Sequence, residues 1–176
     1  MGFCLPNNPK IYIMTAILAG VVWGIIRPVF LSEYDLAGLI ASLKQFAHGF
    51  NTINIGSENL AVSLLRNGHV LLLVWACTAI PRLFWVAYLP IYMRVMTASF
   101  SLSLMMHAFG FRGLLMALAL NLPQNVLVLA VCAYTICHIK QTNKIKLAVM
   151  GVFAIIVASA YEVFIAPQLF ILINQG

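Results

Sequence analysis

Long apolar runs separated by short polar stretches extend through most of the chain, from residue 11 to residue 173. A helix needs about 20 mainly apolar residues to cross the hydrocarbon core of a bilayer. The pattern therefore predicts an all-α, polytopic membrane helix bundle with about five transmembrane helices, in a single integral membrane domain over residues 1–176. The predicted crossings cover residues 11–31, 69–93, 95–110, 122–139 and 147–173.

Residues 32–68 are the longest polar connection and carry an amphipathic pattern. Apolar residues from Leu36 to Phe50 recur with helical spacing, which predicts a helix capped by Ser32 and ended by Gly49. A second amphipathic helix is expected to end at Gly68. We expect both helices to lie flat at the membrane surface. Two uses remain open for them, a lid over the bundle and a surface for docking a partner.

The apolar run from Gly113 to Ile139 is too long for one crossing and contains the amide-rich stretch Asn121-Leu-Pro-Gln-Asn125. We therefore divide it into a short interfacial or re-entrant helix, residues 111–120, and a fourth crossing. Asn121 suits the N-cap of that crossing, Pro123 its first turn, and Gln124 the position that reaches back to the cap.

Glu162 is an acidic residue inside the last predicted crossing, 16 residues after Lys146. A rise of 1.5 Å per residue places it roughly 24 Å from the lysine side, level with the amide stretch. Two interpretations remain open: Glu162 reaches the interface, or it joins a polar cluster with Arg112 or Arg27 as its ionic partner. The residues of this hypothetical structural cluster are Arg112, Asn121, Pro123, Gln124, Asn125 and Glu162.

Arg82 is a charged residue within the predicted second crossing. It must either snorkel to the nearer surface or form a buried pair, because an isolated charge is costly in lipid. Gly20 and Gly24 form one GxxxG pair in the first crossing. This spacing allows a second helix to approach closely, although simple tolerance of glycine explains it equally well.

The composition excludes a soluble domain, since 63% of the residues are hydrophobic and 8% are charged, against about 25% charged in soluble proteins. The formal charge of +6 indicates membrane topology and contact with anionic lipid rather than nucleic-acid binding. Lys140, Lys144 and Lys146 should face the cytoplasm. The N-terminus is then cytoplasmic, while segment 32–68 and the C-terminus are extracytoplasmic.

The sequence has no recognisable catalytic constellation. It contains no Ser/His/Asp set, HExxH, phosphate-binding loop or close carboxylate pair. The four cysteines and four histidines are scattered without metal-ligand spacing. We therefore expect a protein that is not an enzyme and that has no metal and no cofactor.

Four features of the sequence resemble the stage II sporulation protein M (SpoIIM) family of multi-pass membrane proteins. Leu122-Pro-Gln-Asn125 is the most specific of them. The others are Val70–Trp75 after an amphipathic segment, Arg94 before a run ending in Phe109-Gly-Phe-Arg-Gly113, and Tyr161-Glu162 followed by Pro167. The resemblance covers roughly residues 11–175. Arg82 and the short cytoplasmic lead depart from the pattern.

The resemblance implies a non-enzymatic membrane scaffold in a bacterial cell membrane. Such a scaffold recruits peptidoglycan hydrolases, the stage II sporulation proteins D and P, for cell-wall remodelling during forespore engulfment. Homo-oligomerisation is compatible with the sequence. The alternative interpretation is a permease-like membrane subunit of a transporter working with a partner ATPase, supported by Glu162, Arg82 and the interrupted helix.

Overall fold

The structure is a computed structural model that describes residues 8–49, 57–138 and 144–175. This part of the chain is almost entirely helical and contains no strand, so the predicted all-α class is confirmed. The helices are α1 (Pro9–Ile26) with a 3₁₀ extension (Arg27–Phe30), α2 (Glu33–Gly49), α3 (Ser57–Ala79), a 3₁₀ segment (Pro81–Ala87), α4 (Tyr88–Phe109), α5 (Phe111–His138), α6 (Lys144–Ala160), a π-helical segment (Tyr161–Ile165) and α7 (Ala166–Gln175).

Five helical stretches of the described residues are long and apolar enough to cross a membrane, as expected for a multi-pass membrane protein. Many of their outward-facing side chains are large and apolar, such as Phe30 and Leu172, and suit contact with lipid. The predicted number of crossings is therefore confirmed. The stretches are Pro9–Phe30, Asn59–Ala79, Arg82–Phe109, Phe111–His138 and Lys144–Ile173.

The second and third crossings differ from the predicted ones, residues 69–93 and 95–110, which were wrong. The chain turns at Ile80, whose backbone is extended (φ −104°, ψ 112°). Proline disfavours helical geometry in the residue before it, so α3 ends just before Pro81 and a new helix starts there. Arg94, which separates the two predicted crossings, lies inside α4.

The amphipathic segment 32–68 is only partly as predicted. The helix over its first half is confirmed as α2, and Ser32 Oγ accepts the Asp35 backbone N–H at 3.1 Å. The predicted end at Gly68 was wrong, because α3 continues through it to Ala79. The polar residues Ser63 and Asn67 are buried in the bundle, so this part of α3 is not a surface helix.

The predicted division of residues 111–139 was also wrong. α5 is one continuous helix with Pro123 inside it, so Asn121 is not an N-cap, and neither a separate helix at 111–120 nor a crossing limited to 122–139 exists. The turn comes earlier, at Gly110, with φ +62°. Glycine adopts this left-handed conformation without strain. Membrane helices tolerate an internal proline when neighbouring groups bond the freed carbonyl.

Helix α1 packs closely along α4 through the two glycines of the GxxxG pair. A Cβ added at Gly24 would lie 2.5 Å from the Met96 carbonyl oxygen, and one at Gly20 would lie 2.9 Å from that of Tyr92. These paired positions advance together, so α1 and α4 are parallel. The glycine spacing is therefore used for close helix contact, one of the two interpretations left open by the sequence.

The bundle has two chemically different ends. We call one the lysine end; it contains the start of α1 at Lys10, the Ile80 turn with the exposed Arg82, and the start of α6 at Lys144. The α2 end lies opposite and contains α2, Gly110 and the end of α7. Helices α1, α4 and α6 run from the lysine end to the α2 end, and α3 and α5 run back.

Two apolar cores fill these ends. The core toward the lysine end contains Val74, Tyr88 and Cys132, and the core at the α2 end contains Met116 and Phe170. Residues Leu43 and Ala47 attach α2 to the second core. Three buried polar residues, Ser63 and Asn67 of α3 and Ser159 of α6, lie between the two cores.

Candidate functional site

A network of polar side chains joins four helices at the level between the two apolar cores. Asn67 of α3 is its centre and is fully buried, with 0% of its surface exposed. Its amide oxygen accepts a hydrogen bond from Arg94 Nη2 of α4 at 2.6 Å, and its amide nitrogen donates to Ser159 Oγ of α6 at 3.0 Å. One asparagine side chain therefore connects three helices.

Arg94 extends the network to a fourth helix. Its Nε donates to Asn125 Oδ1 of α5 at 2.6 Å. Both of its hydrogen-bond acceptors are thus neutral amides, although Arg94 lies near the middle of the Arg82–Phe109 span. Among the described residues no carboxylate forms an ion pair with Arg94.

Glu162 is the acidic member of the network and lies in the π-helical segment. Ser63 Oγ donates to its Oε2 at 2.6 Å, and a weaker contact from Asn67 Nδ2 is 3.4 Å long. Its Oε1 forms an ion pair with Arg66 of α3. The Glu162 side chain is 21% exposed and that of Arg66 is 60% exposed, so the pair lies at the edge of the bundle.

The π-helical segment has a cause in the sequence. Pro167 has no N–H with which to bond the carbonyl four residues earlier, so the regular helical pattern cannot continue through it. One turn before it the helix widens, and the N–H of Ala166 bonds the carbonyl of Tyr161, five residues earlier. Such π-bulges occur frequently at functional sites. Here the bulge contains Glu162.

A second proline is accommodated by a side chain from this same bulge. Pro123 leaves the carbonyl of Ala119, four residues earlier in α5, without its helical N–H partner. The Tyr161 hydroxyl donates to that carbonyl oxygen at 2.8 Å. The bulge therefore supplies both the acidic member of the network and the donor that satisfies the interrupted α5.

The residues predicted as one cluster lie in several places. Asn125 and Glu162 belong to the network, bonded to Arg94 and to Ser63. Asn121 donates to Ser101 Oγ at 3.3 Å. Arg112, exposed in the first turn of α5, lies roughly 18 Å along the helix axis from Gln124.

The ionic partners differ from the predicted ones as well. Glu162 pairs with Arg66, whereas Arg112 and Arg27 were proposed as its partner. Arg27 instead places its guanidinium over the Phe100 ring, 5.3 Å from the ring centre. Arg82, predicted inside a crossing, is exposed beside the turn at the lysine end, so its charge is not buried.

Sequence reasoning missed most of the network, namely Ser63, Arg66, Asn67, Arg94 and Ser159. A signal was available in the dipeptide Ile80-Pro81, because a residue before proline avoids helical geometry. Placing the turn there would have put Arg94 and Asn67 inside crossings, where polar residues usually face the bundle interior.

A cavity of about 500 Å³ lies beside the network, between α3, α4 and α5. Arg94, Gln124 and Asn125 contribute to its wall, and Arg66 lies at its edge. A second cavity of about 270 Å³ lies on the other side of Arg66, next to Ser63, Glu162 and Pro167. Two guanidinium groups therefore border the larger cavity.

No described group of three or more His, Cys, Asp or Glu side chains is arranged to hold a metal ion. The polar groups of the site are amides, hydroxyls, two guanidiniums and one carboxylate. This set can tie helices together and bind an anion. Comparison of the chain with protein-family models, with curated proteins and with solved structures found no match.

Proposed function

We propose that the chain is a non-enzymatic membrane scaffold that binds extracytoplasmic partners at its α2 end. The observation that carries the proposal is the attachment of α2. Residues Leu43 and Ala47 pack α2 onto the second apolar core, while Tyr34 is 88% exposed and Glu33 and Asp35 are exposed beside it. A helix fixed on one side and free on the other is a suitable docking platform.

The polar network supports the same proposal. It ties α3, α4, α5 and α6 together by three hydrogen bonds, two of them donated by the charged Arg94, and such bonds hold membrane helices in a defined arrangement. A platform resting on a fixed bundle presents a constant surface to a partner, as a scaffold requires.

The orientation follows from charge. Lys10, Arg82, Lys144 and Lys146 belong to the lysine end, with Lys140 between the last two crossings in the sequence, whereas the α2 end has three basic residues, Arg27, Lys44 and Arg112. Because basic loops face the cytoplasm, we place the lysine end and the N-terminus inside the cell. The α2 end and the C-terminus are then outside. A reporter fused after Gln141 should read cytoplasmic, and a reporter at Asn54 extracytoplasmic.

The resemblance of Leu122–Asn125 and of Tyr161–Pro167 to the SpoIIM family gives the partner class. It supports placing the protein in a bacterial cell membrane and assigning it cell-wall hydrolases, the stage II sporulation proteins D and P, as partners during engulfment. Tyr161 of the second motif donates to the carbonyl of Ala119, three residues before the first motif, so these two features lie in one part of the bundle.

The test is co-purification of the tagged full-length chain from host membranes in mild detergent. Cell-wall hydrolases should be recovered with the wild type and lost with the double variant Glu33→Gln, Tyr34→Ser. The control Lys146→Gln, exposed at the lysine end, should keep them. Equal recovery with both variants would exclude α2 as the platform.

The second candidate, a permease-like subunit with a partner ATPase, is favoured by the cavity bordered by Arg66 and Arg94, since polar cavities within the membrane also occur in transport sites. The same purification separates the two. Recovery of an ATPase without either hydrolase would support transport and contradict the scaffold.

A further inference from the structure

Arg94 carries a positive charge near the middle of the membrane, and both of its hydrogen-bond acceptors are neutral. By helical rise it lies about 18 Å from Arg82, the first residue of a span that is about 42 Å long. Its Nε and Nη2 donate to Asn125 and Asn67, and its Nη1 has no acceptor among the described residues. An unpaired charge at this depth is unfavourable, so the site lacks a group of opposite charge.

Glu162 does not supply that group, although it is the only carboxylate in the five described spans. One of its oxygens forms the ion pair with Arg66, and the other accepts the hydrogen bond from Ser63 at 2.6 Å. Arg66, Arg94 and Glu162 together therefore keep a formal charge of +1. The positive charge in excess is that of Arg94.

The larger cavity gives access to Arg94 from the side of the bundle. Leu73 of α3 and Leu89 and Met93 of α4 border it and are 42%, 50% and 47% exposed, whereas its α5 residues are buried or half-buried. All its lining residues lie within about 10 Å of the middle of their spans, inside a hydrocarbon core that extends about 15 Å to each side. The cavity therefore opens laterally, between α3 and α4, into the membrane.

We infer that this opening is a docking site for a transmembrane helix of a partner protein, and that this helix brings an aspartate or glutamate to Arg94. The carboxylate accepts a charge-assisted hydrogen bond from Nη1 and balances the excess charge. A cavity of about 500 Å³ holds several side chains but not a whole helix, which is about 10 Å wide. The partner helix therefore lies across the opening and inserts its side chains.

The lining of the cavity defines the sequence of the partner helix. Arg94 lies about 3 Å from the middle of its span, so the acid belongs about ten residues from each end of an apolar run of about 20 residues. Toward the lysine end the lining is apolar, with Leu73 and Leu89, so the partner residues on that side are apolar as well. Thr97 and Ala98 line the other side, and such small residues allow a second helix to approach closely.

A second copy of the chain is a poorer occupant than a different protein. Within the described spans the only carboxylate of that copy is its own Glu162, which is already bonded to Arg66 and Ser63. Two copies meeting at this face would bring together two clusters of charge +1, which repel each other strongly in a medium of low dielectric constant. The site lies at the middle of the bundle and not at the α2 end, so the inference does not rest on the proposed platform.

The experiment measures binding of a synthetic transmembrane peptide to the full-length protein in phosphatidylcholine vesicles. The peptide consists of leucine and alanine with one aspartate at its centre, and energy transfer from a fluorophore at the C-terminus of the protein reports binding. The aspartate peptide should bind at least about tenfold more tightly than the same peptide with asparagine there, the equivalent of a hydrogen bond to a charged group. Moving the aspartate about six residues toward either end should remove this preference. Equal binding of the aspartate and asparagine peptides would overturn the inference.

Arg94→Gln tests the charge, and Met93→Trp tests the place. Arg94→Gln should reduce the preference for aspartate over asparagine to less than about twofold; a variant with a lower unfolding midpoint and an unchanged preference would show a merely structural arginine and refute the inference. Met93→Trp fills the opening from an exposed position outside the polar network, and should weaken binding of the aspartate peptide at least about tenfold. It decides the question if Arg94→Gln does not fold. Met150→Trp makes the same change on α6, at a position that is 41% exposed, and should leave binding unchanged.

A photo-crosslinking amino acid in place of Met93 identifies the natural occupant in host membranes. The captured protein should have a transmembrane helix with an aspartate or glutamate near its middle, and replacing that acid by its amide should abolish the crosslink. Capture of a second copy of this chain, or of a protein without such an acid, would overturn the inference. The double variant Glu33→Gln, Tyr34→Ser should leave the crosslink unchanged, so a failure of the α2 platform and a failure of this site are distinguishable.

Discussion

Replacing Asn67 by leucine tests whether the polar network holds the bundle together. Leucine has the same number of side-chain heavy atoms and the same branching at Cγ, so the change removes hydrogen bonds without opening a cavity. The variant loses the bond from Arg94, at 2.6 Å, and the bond to Ser159, at 3.0 Å. It also loses two weaker contacts, to Ser63 at 3.3 Å and to Glu162 at 3.4 Å.

The expected loss of stability is about 2 to 3 kcal/mol, since hydrogen bonds between membrane helices contribute about 0.6 kcal/mol on average and up to about 1.7 kcal/mol. The bond from Arg94 belongs at the upper end of that range because it is charge-assisted. Water cannot take the place of the lost Asn67 amide, because position 67 is fully buried. Arg94 keeps one acceptor, Asn125, which limits the loss.

The assay is reversible unfolding in mixed micelles of a mild detergent and dodecyl sulfate, followed by tryptophan fluorescence. Gln168→Leu is the matched control, an amide replaced by leucine at an exposed position of α7, and should change the free energy of unfolding by less than about 0.5 kcal/mol. If Asn67→Leu were as stable as this control, the network would not be what holds the helices.

Further substitutions probe the other contacts of the bundle. Glu162→Leu should lower the folded yield in detergent and should lower the free energy of unfolding by about 2 kcal/mol. This loss is smaller than that for a fully buried ion pair, because the guanidinium partner of Glu162 is 60% exposed. A folded yield and a thermal midpoint equal to those of the wild type would exclude a structural role for Glu162. Tyr161→Phe should lower the free energy of unfolding by about 1 kcal/mol in the wild type. It should lower it by almost nothing in a Pro123→Ala background, because alanine restores the helical N–H that bonds the Ala119 carbonyl. A double-mutant cycle of unfolding free energies measures the difference, and equal losses in the two backgrounds would refute the role of Tyr161. Gly24→Ala should cost about 1 to 3 kcal/mol by overpacking against α4, whereas Gly38→Ala, at a position with open space around it, should stabilise α2 by about 0.5 to 1 kcal/mol; thermal unfolding of both variants checks the difference.

The parts of the fold that the sequence predicts are those with a local cause. The cap at Ser32 and the apolar face of α2 depend on residues close in sequence, and both are present. The number of crossings depends on total apolar length. The predicted helix boundaries were wrong because apolar runs continue across the turns at Ile80 and Gly110. Hydrophobicity alone therefore does not locate these turns.

The site was less predictable because it depends on which helix faces meet. Glu162 and Asn125 were identified from the cost of polar groups in lipid, but their partners were chosen by depth, and depth was measured from wrong boundaries. The sequence pattern instead puts Arg94 between two crossings and Asn67 in a surface helix. Once α3 and α4 are joined at Ile80, both residues fall at the same level of adjacent helices, where they bond.

The motifs around Pro123 and Pro167 form two parts of one structural device. Each proline interrupts the hydrogen bonding of its own helix, and in isolation each would weaken a membrane span. Pro167 is accompanied by the bulge that contains Tyr161 and Glu162, and Tyr161 supplies the donor that the helix of Pro123 lacks. The same bulge directs Glu162 toward Ser63, so the network and the repair of α5 depend on one turn of helix. A substitution that straightens this turn should therefore disturb both contacts together.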